Sequence, residues 1–177
     1  MRAFIAIELP DQIKAWLGKV QNELGPALPP AKWVEPQNLH LTMLFLGDID
    51  ETKVNGTRAA IKQCALRAKK IETRLAGLGC FPDERNPQVL FAQLENEEEF
   101  IRLYQALCTE LKIIPEKRFK AHITLCRFKA GEKTGFADEL TALPESAIFT
   151  TDRLTLFKST LSANGPAYET IFSTKII

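Results

Sequence analysis

Hydrophobic positions along the chain change spacing in a repeating way. Residues 4–9 pack apolar side chains closely and stop at Pro10, which reads as a strand. Ile13, Trp16, Leu17 and Val20 then recur at helical spacing, so a helix is expected over 11–23 with Asp11 as its cap. Residues 25–36 form a proline-rich loop. A strong strand follows at 38–46 and stops at Gly47-Asp48, then a helix at 54–69, a strand at 71–78 and a turn-rich loop at 82–88. The pattern begins again with a strand at 89–94. Asn96 is the expected cap of a helix reaching residue 112, and the acidic run Glu97-Glu98-Glu99 reads as its solvated first turn. A second strong strand is expected at 119–128 and a weaker helix at 136–143. Strands at 153–157 and 168–174 are joined across a turn holding Asn164-Gly165-Pro166. Strand, helix, strand, helix, strand thus occurs twice, which predicts an α+β fold of two similar lobes within residues 1–177.

A chain of 177 residues is long enough to bury a real core without staples. Lys plus Arg total 23 against 22 for Asp plus Glu, a formal charge of +1. A protein that coats a duplex is far more basic, so any nucleic-acid contact is expected at an end or a single nucleotide. Cys64, Cys80, Cys108 and Cys126 form no CxxC pair and read as reduced, mostly buried thiols. No apolar run approaches the ~20 residues of a membrane span. The opening stretch, broken by Glu8 and Pro10, reads as neither signal peptide nor anchor. The expectation is a cytoplasmic, soluble monomer.

The two histidines carry the chemistry. His40 lies in Asn38-Leu39-His40-Leu41-Thr42, and His122 in Lys120-Ala121-His122-Ile123-Thr124. Each falls inside a predicted strand with a threonine two positions on. Period-2 geometry puts His40 and Thr42 on one face, with Leu39, Leu41, Met43 and Phe45 on the other. It likewise separates His122 and Thr124 from Ala121, Ile123 and Leu125. Two unrelated strand histidines could each carry such a neighbour, but matching places in a repeated pattern argue against coincidence. Two imidazoles are too few to close a zinc site, and Cys126 is a candidate third ligand only by its place two after Thr124. There is no GxSxG and no phosphate-cradling glycine loop. Two facing imidazoles suit acid–base catalysis of an in-line displacement near neutral pH. Threonine hydroxyls can donate to the non-bridging oxygens where charge develops. That set fits phosphodiester hydrolysis without a metal or cofactor.

At these residues the sequence resembles the two-histidine phosphoesterase superfamily, in particular the LigT-like bacterial and archaeal RNA 2′,3′-cyclic phosphodiesterases. The resemblance runs through the opening strand at 2–10, Trp33-Val34, the first HxT motif with Phe45-Leu46-Gly47, and the second with Arg127. It implies a bilobal α+β fold whose central antiparallel sheets form a cleft, with helices outside. It implies His40 as proton donor and His122 as proton acceptor, and a product with a 2′-phosphate. The implied partners are RNA ends or tRNA fragments with 2′,3′-cyclic phosphate and small cyclic nucleotides. Arg127 resembles a substrate-contacting arginine, yet simple alternation sets it on the Ile123/Leu125 face, so a bulge or strand end is required. Of the basic cluster Lys117, Arg118, Lys120, Arg127 and Lys129, Lys120 shares the His122 face and is a further candidate for binding phosphate. Trp33, Phe45 and Phe128 are open between packing and base stacking. A 2′–5′ RNA ligase or 2′,5′-phosphodiesterase, and a non-catalytic nucleotide-binding module, are the alternatives.

Overall fold

The computed structural model describes residues 1–83, 86–115, 118–129, 148–162 and 165–177. The expected helix at 136–143, Lys117 and Asn164 lie outside them. The chain runs β1 (Arg2–Glu8), α1 (Asp11–Leu24), β2 (Ala31–Trp33), β3 (His40–Asp48), α2 (Glu51–Arg67), β4 (Ile71–Thr73) and β5 (Leu75–Phe81). It continues through β6 (Val89–Leu94), α3 (Glu97–Leu111), β7 (His122–Phe128), β8 (Phe149–Thr151), β9 (Arg153–Ser162) and β10 (Gly165–Lys175).

The strands build a mixed α/β structure on a large antiparallel sheet ordered β10-β9-β1-β3-β7-β6-β5, with β2 added against β7. The two sequence halves therefore share one sheet. They meet where Leu41 pairs with Ile123. Each HxT strand is flanked on its other side by the strand that opens its half: β3 by β1, and β7 by β6. Ala3, Ile5 and Ile7 alternate into a core shared with Ile13 and Leu17 of α1, Ile61 of α2 and Phe100 and Leu107 of α3. Phe4, equally buried, turns to the opposite face, where it meets the His40 ring.

Several local expectations change. Asp11 is the first helical residue, and the Pro10 carbonyl accepts from the N–H groups of Ile13 and Lys14 at 2.9 and 3.0 Å. Asp50 caps α2 by accepting from the Lys53 N–H at 2.8 Å, so that helix starts ahead of Val54. Asn96 adopts a left-handed conformation, φ 57°, which asparagine tolerates, and its side chain donates to the Glu72 carbonyl instead of capping α3. The expected strand at 71–78 divides, because β4 leaves to pair with β8 in a separate two-stranded sheet. Part of the proline-rich loop becomes β2.

Candidate active site

His40 and His122 are the first residues of β3 and β7, not mid-strand residues. The stretch before His40 is a short 3₁₀ turn, Pro36–Asn38, with proline at its start. This placement frees the carbonyl two residues back to face each ring. His40 Nδ1 donates to the Asn38 carbonyl and His122 Nδ1 to the Lys120 carbonyl, each at 2.7 Å. A carbonyl can only accept, so Nδ1 carries hydrogen in both rings and Nε2 is the exchangeable nitrogen. His40 Nε2 stands 2.9 Å from Thr42 Oγ1.

Both HxT strands break their alternation at the same point. Ala6 pairs with Thr42 but Ile5 with Leu44, so Met43 is the extra residue of a bulge. Phe91 pairs with Thr124 but Leu90 with Cys126, so Leu125 is the extra residue in β7. The carbonyl of Leu125 is not orphaned: it accepts from the Val34 N–H at 2.8 Å and from buried Gln21 Nε2 at 3.0 Å. Beyond each bulge the faces are exchanged. Arg127 returns to the His122 face, as the resemblance requires. Phe45, expected opposite His40, comes round to the cleft and is 71% exposed. Cys126 is wholly buried in the core, and burial pushes its thiol up to about 12, which removes it as a metal-ligand candidate.

The two histidines, Thr42, Thr124, Phe45 and Arg127 line one cavity of about 530 Å³. Continuing the Leu41–Ile123 register sets His40 across from Thr124 and Thr42 across from His122. On a regular ladder the Cα atoms of diagonal positions, here His40 and His122, lie about 7–8 Å apart. Arg2 and Lys32 add positive charge to the wall, and Glu35 is the acid among these lining residues. This excess favours an anionic ligand. Trp33 also lines the cavity while packing on the core. Phe128 packs against the core and does not line the cavity. Lys120 stays outside the wall, with its ammonium 5.6 Å from the centroid of the Phe91 ring. Arg118 and Lys129 also lie off the wall.

Aromatic rings brace both imidazoles. Phe4 and Tyr168 stand 5.0 and 5.3 Å from the His40 ring, and Phe81 and Phe91 stand 5.0 and 5.3 Å from His122. Tyr168, which also lines the cavity, was not legible as a site residue. It reaches His40 only because β10 folds back on β9 and sets Tyr168 against Ser159. Burial lowers the proton affinity of both histidines. His40 falls to about 4, with the charges of His122 and Lys14 adding to the effect and the Asn38 hydrogen bond opposing it. His122 is lowered by burial and by Arg127 and Lys120, against its Lys120 hydrogen bond and Glu97. Among the described residues, no three His, Cys, Asp or Glu side chains gather as a metal would require.

The family model described as LigT like phosphoesterase matches residues 7–91 and 94–168, one HxT motif in each stretch. An RNA 2′,3′-cyclic phosphodiesterase of Thermus thermophilus is 34% identical, over 95% of this chain and 86% of the relative. One from Thermotoga maritima is 29% identical over 97% and 94%. A crystal structure of a Thermus thermophilus protein superposes with a TM-score of 0.82 at 31% identity, over 99% of this chain and 98% of that one. E. coli LigT complexed with 3′-AMP shares the fold at a TM-score of 0.78 and 22% identity, over 99% and 97%.

Proposed function

The chain belongs to the LigT-like phosphoesterase family, and from that premise we propose that it hydrolyses RNA 2′,3′-cyclic phosphates to 2′-phosphates by two-histidine acid–base catalysis, without a metal. The observation that carries this reading is the common cavity. Both HxT pairs face it, each with Nδ1 committed to a backbone carbonyl; Nε2 is the remaining nitrogen for proton transfer, that of His40 lying 2.9 Å from Thr42 Oγ1.

In the proposed step, His122 Nε2 takes a proton from the attacking water as its oxygen bonds to phosphorus. The bond from phosphorus to the 3′-oxygen breaks, and His40 Nε2 delivers a proton to that oxygen. The product is a 2′-phosphate with a free 3′-hydroxyl, and one proton has passed from one ring to the other. Thr42 and Thr124 donate to the non-bridging oxygens, and Arg127 neutralises their charge. Phe45, at the equivalent position on the other strand, offers a ring on which a base can stack.

The low proton affinity of His40 fits a donor in one respect: once protonated, it is a strong acid. In the empty cleft its proton is scarce at neutral pH. A phosphate anion beside the ring offsets the burial cost of the imidazolium, so the substrate itself helps to load the proton. Turnover of a 2′,3′-cyclic nucleotide in excess EDTA tests the proposal. Formation of the 2′-monophosphate supports it. Tight binding without turnover would favour a binding module, and loss of turnover in EDTA would point to a metal. RNAs with cyclic phosphate ends, run beside 2′–5′ linked oligomers, separate hydrolysis from the ligase-type alternative.

A further inference from the structure

Behind each catalytic ring lies one peptide group, and the two groups end differently. The carbonyl of Lys120 accepts from His122 Nδ1 at 2.7 Å. The N–H of the same peptide unit, that of Ala121, donates to Glu97 Oε1 at 3.0 Å. Carboxylate, peptide and imidazole thus form one hydrogen-bonded chain. On the other side, the Asn38 carbonyl accepts from His40 Nδ1 at 2.7 Å. The N–H of that peptide, that of Leu39, donates to the neutral carbonyl of Pro36 at 3.2 Å. A peptide whose N–H meets a charged acceptor is polarised, and its carbonyl becomes the stronger acceptor. The difference therefore reaches the ring itself.

We infer that Glu97 is a positioning residue for His122: through the Lys120–Ala121 peptide it fixes the ring and strengthens it as acceptor of the proton from water. The logic is that of the carboxylate behind a catalytic histidine in hydrolase triads, which holds the tautomer and stabilises the imidazolium. Here a peptide group stands between the two. Its catalytic meaning rests on the function proposed above, in which His122 accepts the proton.

The surroundings of His122 support this. Lys120, two residues ahead of β7, and Arg127 on β7 oppose a positive charge there, and Glu97 at the start of α3 favours one. Phe81 from β5 and Phe91 from β6 present only rings, and Gln93, paired with His122, is neutral. Around His40 the charges that act are His122 and Lys14, both repulsive. Glu8 pairs with His40 along the backbone, but its carboxylate accepts from Thr155 and Ser173. Glu97, one of three acids in a first turn that reads as merely solvated, is thus tied to the peptide behind His122.

The test is an NMR titration of the histidine rings in the full chain, without substrate, for wild type, Glu97→Gln and Glu97→Ala. Glu97→Gln keeps an acceptor for the Ala121 N–H and removes the charge. It should lower the His122 midpoint by roughly half a pH unit, since the charge acts through one peptide rather than in direct contact. The His40 midpoint should move much less, and the limb of the kcat/KM profile that reports His122 should shift with its ring. An unchanged His122 midpoint in a folded Glu97→Gln protein overturns the inference, even if Glu97→Ala loses activity, because the role would then be structural support. Should Glu97→Ala fail to fold, Glu97→Gln still decides. A shifted midpoint in a protein inactive on cyclic phosphates would sink the proposed function and leave this relay standing.

Discussion

Strands β3 and β7 invite direct comparison, since His-Leu-Thr-Met-Leu-Phe-Leu and His-Ile-Thr-Leu-Cys-Arg-Phe follow the same course. Both alternate half-buried and buried through the threonine, bury two residues in succession at the bulge, then expose one side chain to the cleft. Both begin with a ring whose Nδ1 donates to the carbonyl two residues back. What differs lies around them. The exposed residue past the bulge is Phe45 on one strand and Arg127 on the other. His40 is walled by Phe4, Phe157 and Tyr168, His122 by Phe81 and Phe91. The lesson is that one local geometry, used twice, is set in two different surroundings, and the proposed division into acid and base rests on those neighbours alone.

The strongest way to break the comparison is to remove each ring. His40→Ala and His122→Ala should each lower kcat/KM on a 2′,3′-cyclic phosphate end by about 10²–10⁴-fold while circular dichroism stays native. The double variant should lose far less than the product of the two, since both groups act on one transition state. A single variant retaining more than about a tenth of wild-type activity would end the two-histidine mechanism.

Next comes an asymmetry in stability against pH. His40 binds a proton near 6.5 when unfolded and near 4 when folded. Between those values the unfolded chain holds the extra proton, so stability is full above pH 6.5 and falls as the pH drops toward 4. The loss attributable to His40 is at most about 3 kcal/mol, and about 2 kcal/mol at pH 5. Urea unfolding at about pH 5 and about pH 7.5 should show His40→Asn losing less on acidification than wild type by that amount. Parallel losses would mean that the ring is better solvated than its surroundings imply.

The two exposed side chains should separate by substrate. Arg127→Ala should cost about 10–100-fold in kcat/KM, the scale of a charge-assisted hydrogen bond, and reduce sensitivity to salt. Phe45→Ala should cost up to about the same on nucleotide ends but much less on a cyclic phosphate lacking a base. Equal losses on both substrates would show that Phe45 does not meet the base. The smallest effects belong to the hydroxyls. Thr42→Val and Thr124→Val should each cost about five- to tenfold in kcat/KM, one neutral donor apiece, measured on folded protein.

Much of this site could be read from the sequence, because period-2 spacing sets His and Thr on one face whatever the partner strand does. The bulges could not. An extra residue shows only in the register with β1 and β6, and no local pattern marks Met43 or Leu125 as the one left over. Simple alternation therefore misplaces Phe45, and only the resemblance holds Arg127 to the site. Glu97 escapes notice for a similar reason, since its contact lies 24 residues away at Ala121. Tyr168 depends on how β10 returns along β9, a tertiary fact. The helix caps fail more locally: Pro10 and Asp50 take the positions that Asp11 and Val54 were expected to define.

The bulge after each threonine also governs how this molecule can tolerate changes in length. A substitution at Leu125 alters packing, whereas deleting it removes the extra residue and leaves strict alternation, in which Cys126 still faces the core and Arg127 still faces the cleft. Straightening the bulge without removing a residue would instead turn Arg127 into the core and Cys126 into the cleft, with the HxT motif itself untouched. The Leu125 carbonyl held by Gln21 and Val34 marks which residue is the insertion, so the β7 strand carries an anchored counting point. Chains that match this one at both histidines therefore share its cavity wall when the cleft-edge side chain stands three residues after the threonine with a bulge, or two residues after it without one.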